Sequence, residues 1–547
     1  MINKSENHRL YFILCVFSLV LAFLLWRAKV MTIDQSPVLK TMADLQYSQE
    51  IKISDLNYTL FDKNGKNLLN YKTNYYAVID GSLFIRNYSN TNENDDIYAL
   101  IYILRNYNKD YDLSNIGLYN DKSLKYYKID ESTYNKLKLL KNIKGFYTYT
   151  NSEVDRTEAW SIENLLTRST NPIDNKQKSA SSLEMLLYNK TKGNQYPTIK
   201  IEKDIEGNVI SQQNITSYPD NTNVRLTIDK NIQDKIKSIL NSDKYKDLNQ
   251  VGVILMEAST GKIRAITQKD DTQPNVNLGS ATESGFYMGS VFKVLVEESG
   301  IERKLISTTD KYPCVQKIYK NCKDKDHGIL NAEEALVVSC NNVYAQLGDI
   351  IGVNNILDNA QAHGLSTKIL NFDSEAKGQI DRPDTANGEG SGQFVMGQTA
   401  RVTPIQVINV PNTVVNNGIY IKPQIIEAYV DENNNEKEKV STTSQSVISK
   451  NTAAILKEQM KKVVKQGTGT AANIDGIEVG GKTGSTERYD GTKKLSDGWF
   501  AGFFKYNNQY YSMVVFAKEI DPEKQSGGTT AAPIFKDIVM GIKEYLK

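Results

Sequence analysis

The stretch that decides the fold reads Gly289-Ser290-Val291-Phe292-Lys293. If Gly289 ends a loop and Ser290 begins a helix, the Ser290 hydroxyl and the Lys293 amine lie one turn apart on the same helix face. A neutral lysine amine there can accept the serine proton, and burial or nearby positive charge would lower its pKa enough to make it neutral. The spacing S-x-x-K recurs at 374–377, so the stretch indicates a nucleophile only together with further motifs.

A second motif, Ser339-Cys340-Asn341, follows further along the chain. The Ser339 hydroxyl can pass a proton to a leaving amine. The Asn341 side chain can hold a substrate amide, because it offers both a donor and an acceptor. The pattern S-x-N also occurs at 5–7 and 449–451, so its position between the other motifs carries the signal.

The third motif, Lys482-Thr483-Gly484-Ser485, contains the one K-T-G of the sequence. Lys482 offers a cation, and Thr483 and Ser485 offer hydroxyls, for a substrate carboxylate. On an edge strand, Gly484 permits close approach of a ligand, and the Ser485 N–H can complete an oxyanion hole with the N-terminus of the nucleophile helix. Together and in this order, the three motifs match the set typical of penicillin-interacting serine acyltransferases.

The residues around the motifs predict an α+β domain with one mixed, antiparallel sheet. Strand-like apolar runs lie on both sides of a helix-rich middle, at 251–256, 263–266, 477–479, 498–504 and 510–517, and a helix is expected over 532–546. Strands at both ends of a domain predict a sheet closed by its N- and C-terminal strands, with a helical subdomain between them.

An apolar segment near the N-terminus, Leu10 to Trp26, carries no charge. At about 1.5 Å per residue it spans roughly 25 Å, enough for a bilayer with snorkelling ends at Arg9 and Arg27. A cleaved signal peptide is the alternative, but no convincing small-residue cleavage site follows. We therefore expect a cytoplasmic tail at 1–9 and a single transmembrane anchor at 10–27, with the C-terminal body extracytoplasmic.

Composition divides the rest of the 547-residue chain into two parts. Residues 28–220 are rich in Asn, Lys, Tyr and Asp and contain no catalytic constellation, which favours an elongated α+β pedestal. Residues 221–547 hold all three motifs. The net charge of 66 − 64 = +2 argues against a nucleic-acid partner.

With these motifs the chain resembles the class B penicillin-binding proteins, which are membrane-anchored peptidoglycan D,D-transpeptidases. Further stretches share the resemblance, at 61–65, 182–193, 224–229, 259–263, 397–398, 403–406, 467–470 and 498–502. The resemblance implies that Ser290 forms an acyl-enzyme that crosslinks stem peptides and is acylated by β-lactams. It implies no catalytic cofactor, and a polytopic glycosyltransferase and other wall-synthesis proteins as partners.

Other functions remain open beside this one. A D,D-carboxypeptidase or serine β-lactamase would use water as the acceptor, although a pedestal and an anchor argue against a free β-lactamase. A β-lactam sensor or a catalytically silent scaffold of a wall-synthesis complex is the alternative from a different class. A silent scaffold should have lost a catalytic residue, and all are present here.

Three of the four cysteines lie close to the second motif, with one histidine among them. Cys314, Cys322, His327 and Cys340 form the pattern C-x7-C-x4-H followed by the motif cysteine. They could form a structural Cys₃His zinc site, a Cys314–Cys322 disulfide beside a buried thiol, or no linkage at all.

The family resemblance favours zinc among these possibilities. Some elongation-type class B members carry zinc on the His of this His-Gly loop and on the Cys inside the second motif, which His327 and Cys340 match. Cys314 and Cys322 fall where the other ligands would come, with Asp324 or Asp326 as substitutes. Such an ion would be structural and would hold the loop behind Ser339 and Asn341 in register.

Overall fold

A computed structural model describes residues 4–37, 47–87, 95–114, 124–141, 143–204, 206–315, 322, 326–383, 391–490 and 492–546. The chain forms two compact units. The first consists of Met1–Leu56, Tyr71–Glu153 and Gln195–Tyr218, and the second of Asn57–Asn70, Val154–Asn194 and Pro219–Lys547. Two segments that precede residue 220 therefore belong to the unit that carries the motifs.

In the part of the chain that the structure describes, the first unit contains two three-stranded sheets and four α-helices. One sheet has the strand order Ser48–Lys52, Thr198–Lys203, Val209–Ile215, and the other has the order Leu124–Ile129, Tyr71–Asp80, Phe146–Val154. The helices are Lys4–Lys29, Gly81–Phe84, Asp95–Tyr107 and Glu131–Leu137. In Asp95–Tyr107 the buried residues Ile97, Leu100 and Leu104 recur at helical spacing and face the core of this unit.

The N-terminal helix Lys4–Lys29 continues into a π-helical turn, Val30–Asp34. Its span His8–Asp34 is long and apolar enough to cross a membrane, with a mean hydropathy of 2.3 over its most apolar window and none of that window buried. Length and composition therefore agree with the apolar segment predicted at 10–27.

The second unit holds the remaining helices and strands. Its helices are Ile162–Leu166, Leu183–Thr191, Lys230–Leu240, Lys293–Glu302, Ala332–Val338, Asn341–Ile351, Val353–Ala362, Gly392–Val395, Pro404–Val407, Asn409–Val415, Lys450–Gln466 and Ala532–Ile542. Outside its main sheet, its strands are Leu60–Phe61, Asn223–Leu226, Phe286–Tyr287, Tyr312–Cys314, Gly328–Leu330, Gln379–Ile380, Ala400–Val402, Ile419–Ile421, Ile426–Val430, Glu436–Lys439 and Ser444–Ser446.

The main sheet of this unit, called here the central sheet, has five strands. Their order is Ile263–Gln268, Gln250–Glu257, Gln509–Ile520, Lys493–Tyr506, Glu478–Asp490, and every pairing is antiparallel. The sheet thus joins strands from before and after the helical middle, as the sequence predicts. The strand with the third motif, Glu478–Asp490, lies at its edge, where a ligand can approach the backbone.

One face of the central sheet packs against the helices Lys230–Leu240 and Ala532–Ile542. Alternate strand residues point to this face because strand side chains alternate. The helices supply apolar residues at three- and four-residue spacing. This core includes Val251, Val253, Leu255, Phe500, Phe504, Met513, Val515, Ile232, Ile236, Leu240, Phe535, Ile538 and Ile542.

The two early segments are fixed to this unit by specific bonds. In the first, the Lys63 amine lies 3.2 Å from the Asp229 carboxylate, which also caps the helix Lys230–Leu240. In the second, the Ser179 N–H donates to the Asp373 Oδ1 at 2.8 Å, and Glu184 accepts from the Asp373 N–H at 3.1 Å. The stretches at 61–65 and 182–193 that share the family resemblance therefore contact the unit that carries the catalytic motifs.

Candidate active site

The first two motifs lie at junctions between regular elements, and the third lies within the edge strand Glu478–Asp490. Gly289–Phe292 forms a 3₁₀ turn that leads directly into the helix Lys293–Glu302. Ser339 links the helices Ala332–Val338 and Asn341–Ile351. Junctions of this kind place short side chains where a helix end or an edge strand leaves room for a substrate.

Lys293 lies at the centre of the site and is fully buried. Its Nζ donates to the Asn341 Oδ1 at 2.6 Å, to the Ser339 carbonyl at 2.8 Å and to the Ser339 Oγ at 3.2 Å. Burial lowers the pKa of Lys293 to about 7. A large fraction of this amine is therefore neutral near neutral pH, as a general base must be.

Ser339 connects two lysines. Its hydroxyl also accepts a hydrogen bond from the Lys482 Nζ at 3.0 Å, so both motif amines meet at one oxygen. Burial and the charge of Lys293 hold the pKa of Lys482 well below its ordinary value. Ser339 has φ 58° and ψ 43°, a left-handed conformation that costs a non-glycine residue energy and that recurs at functional sites.

Ser290 is half-buried in the 3₁₀ turn that precedes the helix Lys293–Glu302. Within the described residues its side chain forms no hydrogen bond, and Lys293 donates to Ser339 and Asn341 instead. A direct Ser290–Lys293 hydrogen bond, which the spacing suggests, is thus absent among the described residues. Catalytic hydrogen bonds often tighten only when substrate binds.

Close backbone packing holds the turn Gly289–Phe292 against its neighbours. A Cβ on Gly484 would lie 2.9 Å from the Met288 carbonyl oxygen, so the edge strand approaches the turn through a glycine. Gly397 has φ +71°, accepts a hydrogen bond from the Gly289 N–H at 3.1 Å, and has no room for a Cβ beside the Gly289 oxygen. Glycine is required at both positions for steric reasons.

Two hydroxyls of the third motif bond to the protein itself. The Thr483 Oγ1 lies 2.7 Å from the Thr468 Oγ1, and the Ser485 Oγ accepts from the Gly527 N–H at 3.0 Å. Thr468 and Gly527 were assigned no role from the sequence. The paired glycines Gly527-Gly528 before the last helix are the signal that could have indicated a close backbone approach.

Four potential metal ligands converge behind Ser339. The ligand atoms of Cys314, Cys322, His327 and Cys340 all lie within 4.8 Å of one another. The Sγ–Sγ distances are 3.7 Å for Cys314–Cys322 and 3.8 Å for Cys322–Cys340, and the Cys314 Sγ lies 3.3 Å from the His327 Nδ1. The three thiols are free and buried. Asp324 lies outside the described residues, and Asp326 is exposed.

This arrangement fits a tetrahedral metal site. Sulfur ligands about 2.3 Å from one ion at tetrahedral angles lie roughly 3.8 Å apart, close to the two sulfur–sulfur distances found here. The structure thus brings together all four residues that the sequence pattern singled out. Their spacing along the chain does not produce this geometry; the strands Tyr312–Cys314 and Gly328–Leu330, which pair with each other, bring Cys314 to the loop of His327.

A candidate nucleophilic serine, two buried lysines and an edge strand are the groups that an acyltransferase site would use. Residues 251–540 match the family model described as penicillin binding protein transpeptidase domain. Because the match covers more than half of the 547 residues, the chain belongs to this family. The predicted membership among penicillin-binding proteins is confirmed.

Curated relatives share the C-terminal part of the chain. Stage V sporulation protein D of Bacillus subtilis is 28% identical over 271 residues, covering 47% of this chain and 42% of that protein. Penicillin-binding protein PbpB of Mycobacterium tuberculosis is 26% identical over 289 residues, covering 49% of this chain and 42% of that protein. The matches therefore span less than half the length of these relatives.

Solved structures share the fold over a larger part. A peptidoglycan synthetase from Bifidobacterium adolescentis has a TM-score of 0.62 at 17% identity, covering 91% of this chain and 97% of that one. The D,D-transpeptidase domain of a peptidoglycan glycosyltransferase from Eggerthella lenta has a TM-score of 0.50 at 18% identity, covering 64% of this chain and 95% of that one. The predicted α+β fold with a C-terminal transpeptidase domain is confirmed.

Proposed function

We propose that this protein is a peptidoglycan D,D-transpeptidase that acts through a Ser290 acyl-enzyme and is acylated by β-lactams. The observation that carries the proposal is the buried Lys293 amine, which bonds to Ser339 and Asn341 one turn from Ser290. Lys482 reaches the same Ser339 hydroxyl from the edge strand. Family membership supports the same chemistry.

Each group has one task in the proposed reaction. The Ser290 Oγ attacks the carbonyl between two D-Ala residues, and its proton moves to the neutral Lys293 amine. A C–O bond forms, the C–N bond breaks, and the departing amine takes up a proton through Ser339. An amine of a neighbouring stem peptide then attacks the ester, forms the amide crosslink and returns a proton to Ser290.

We assign binding of the stem peptide to Lys482 and Asn341. The Lys482 amine suits the terminal carboxylate of the stem peptide, whose negative charge favours the protonated form of the amine, and Asn341 suits a peptide amide. Thr483, Gly484 and Ser485 hold the edge strand against Thr468, Met288 and Gly527. The Ser485 N–H is proposed as the second oxyanion donor.

The test is to map the site of acylation and to identify the acceptor. Full-length protein in detergent, treated with a fluorescent penicillin and digested, should carry the adduct on the Ser290 peptide. With stem pentapeptide and an amine acceptor it should release D-Ala and form the crosslinked amide. Release of D-Ala with water as the only acceptor would support a carboxypeptidase. Labelling without any turnover would support the sensor or scaffold.

We further propose that Cys314, Cys322, His327 and Cys340 bind a structural Zn²⁺. Their free thiols and the sulfur–sulfur distances of 3.7 and 3.8 Å support a tetrahedral Cys₃His site more than a disulfide. Bound metal would supply folding energy and hold the loop behind Ser339. It takes no part in the proton transfers.

Metal analysis of the full-length protein should find about one zinc per chain. Cys322→Ser should lower the zinc content well below one and lower the melting temperature, because one of four ligands is lost. Cys15→Ser changes an exposed cysteine of the N-terminal helix and is the matched control. A metal-free wild type with full acylation activity would contradict the zinc proposal.

The location and partners complete the proposal. The apolar span His8–Asp34 supports a single-pass anchor in the cell membrane, with the body extracytoplasmic. A polytopic glycosyltransferase that supplies glycan strands remains the proposed partner, since crosslinking needs newly polymerised strands.

A further inference from the structure

The helix Lys293–Glu302 carries a buried acid that has no part in the proposed reaction. Glu297 is fully buried, and both of its carboxylate oxygens are used. One accepts a hydrogen bond from the Tyr344 hydroxyl at 2.7 Å, and the other accepts from the Gln459 amide at 2.6 Å. Burying a carboxylate is costly, so its bonds to two separate helices call for an explanation.

Tyr344 connects this acid to the catalytic amine. It follows Asn341 by one turn on the helix Asn341–Ile351 and is itself fully buried. The Lys293 Nζ lies over its ring, 5.3 Å from the ring centre. Because the hydroxyl is fixed by Glu297, the ring has one position under Lys293, and the amine is confined between this ring, Ser339 and Asn341.

Gln459 connects the same acid to the third motif. It lies on the helix Lys450–Gln466, which leads directly to Thr468, and the Thr468 hydroxyl bonds to Thr483 at 2.7 Å. The Glu297 carboxylate therefore connects three helices. One begins with Lys293, the second begins with Asn341, and the third ends just before Thr468. A shift of any one of these helices would change the hydrogen bonds of this carboxylate.

We propose that Glu297 is a positioning residue for acyl transfer, which through Tyr344 and Gln459 fixes the Lys293 amine relative to the other two motifs. This inference rests on the proposed function. Catalytic geometry is sensitive to displacement, since a misplacement of about 1 Å can lower a rate roughly 100-fold. The expected effect of losing Glu297 is therefore on the acylation rate constant and not on penicillin binding.

The adjacent residue supplies a matched control. Glu298 is on the same helix and is also fully buried, but its carboxylate lies 3.3 Å from the His363 Nε2. His363 ends the helix Val353–Ala362, which carries none of the three motifs. Replacing Glu298 thus removes a buried acid from the same helix without cutting the connection to Tyr344 and Gln459.

The experiment measures acylation of the full-length protein by a chromogenic penicillin under single-turnover conditions. Glu297→Gln should lower the maximal acylation rate constant roughly 10- to 100-fold, with the half-saturating penicillin concentration and the titratable amount of enzyme unchanged. Glu298→Gln should stay within about twofold of wild type. If Glu297→Gln does not fold, Tyr344→Phe replaces it in the experiment. This variant removes only the hydroxyl that bonds to Glu297, and the same fall in the acylation rate constant is expected.

An acylation rate constant within about twofold of wild type in the folded Glu297 variant would overturn the inference. So would a loss confined to the amount of titratable enzyme, because that indicates only unfolding. Both results are separate from failure of the proposed function, which would appear as a wild-type protein that penicillin does not acylate.

Discussion

Ser290→Ala should abolish covalent labelling by fluorescent penicillin and leave the protein folded. Without the Ser290 Oγ the proposed acyl-enzyme ester cannot form. The fold should tolerate the change because Ser290 is half-buried and its side chain forms no hydrogen bond within the described residues. Gel fluorescence gives the labelling, and a thermal melt gives the stability.

The matched control for this variant is Ser299→Ala. Ser299 lies on the same helix, where its hydroxyl donates to the Asn355 carbonyl at 2.9 Å, away from the three motifs. Its loss should reduce stability slightly, by about 1 kcal/mol, and keep the labelling. Labelling that survives in Ser290→Ala would show that the nucleophile is another residue.

Lys293→Met should lower the acylation rate constant roughly 1,000-fold or more, because the variant keeps the apolar stem but loses the proton acceptor. Burial lowers the pKa of Lys293 to about 7, so the role of Lys293 as proton acceptor can also be tested through the pH dependence of acylation. The neutral amine is the active form, so acylation of wild type should rise as pH increases through about 7 and then level off.

The pH dependence of acylation should differ between wild type and Lys293→Met. In Lys293→Met the remaining slow acylation should lose the rise near neutral pH, since the group that titrates is gone. Stopped-flow acylation between acid and mildly alkaline pH measures both. A wild-type rate in the variant would exclude Lys293 as the base, and an unchanged pH profile would assign the titration to another group.

Sequence alone predicted the candidate catalytic residues because the chemistry proposed for them depends on short spacings. A serine and a lysine three residues apart must share a helix face, and a glycine after Lys482-Thr483 permits close approach at a strand edge. Apolar runs on both sides of a helical middle likewise predicted the central sheet. These are local rules, and the chain follows them at these positions.

Other features depend on contacts between distant segments. The spacing of Cys314, Cys322 and Cys340 allowed zinc, a disulfide or no linkage, and the fold brings their sulfurs to 3.7 and 3.8 Å. Segments 57–70 and 154–194 look like pedestal in composition, yet they belong to the compact unit of the catalytic motifs. A polar composition indicates that much of a segment is exposed to solvent, but it does not indicate which surface the segment packs against.

What the sequence by itself determined is the identity and order of the candidate reacting groups, since those follow from residue type and spacing within a turn or a strand. Only the tertiary structure decided that Lys293 bonds to Ser339 and Asn341, that Lys482 reaches the same hydroxyl, and that Glu297 joins three helices beneath them. The physical reason is burial: the low pKa of Lys293 and the bonds of Glu297 exist because helices far apart in sequence exclude water from one site.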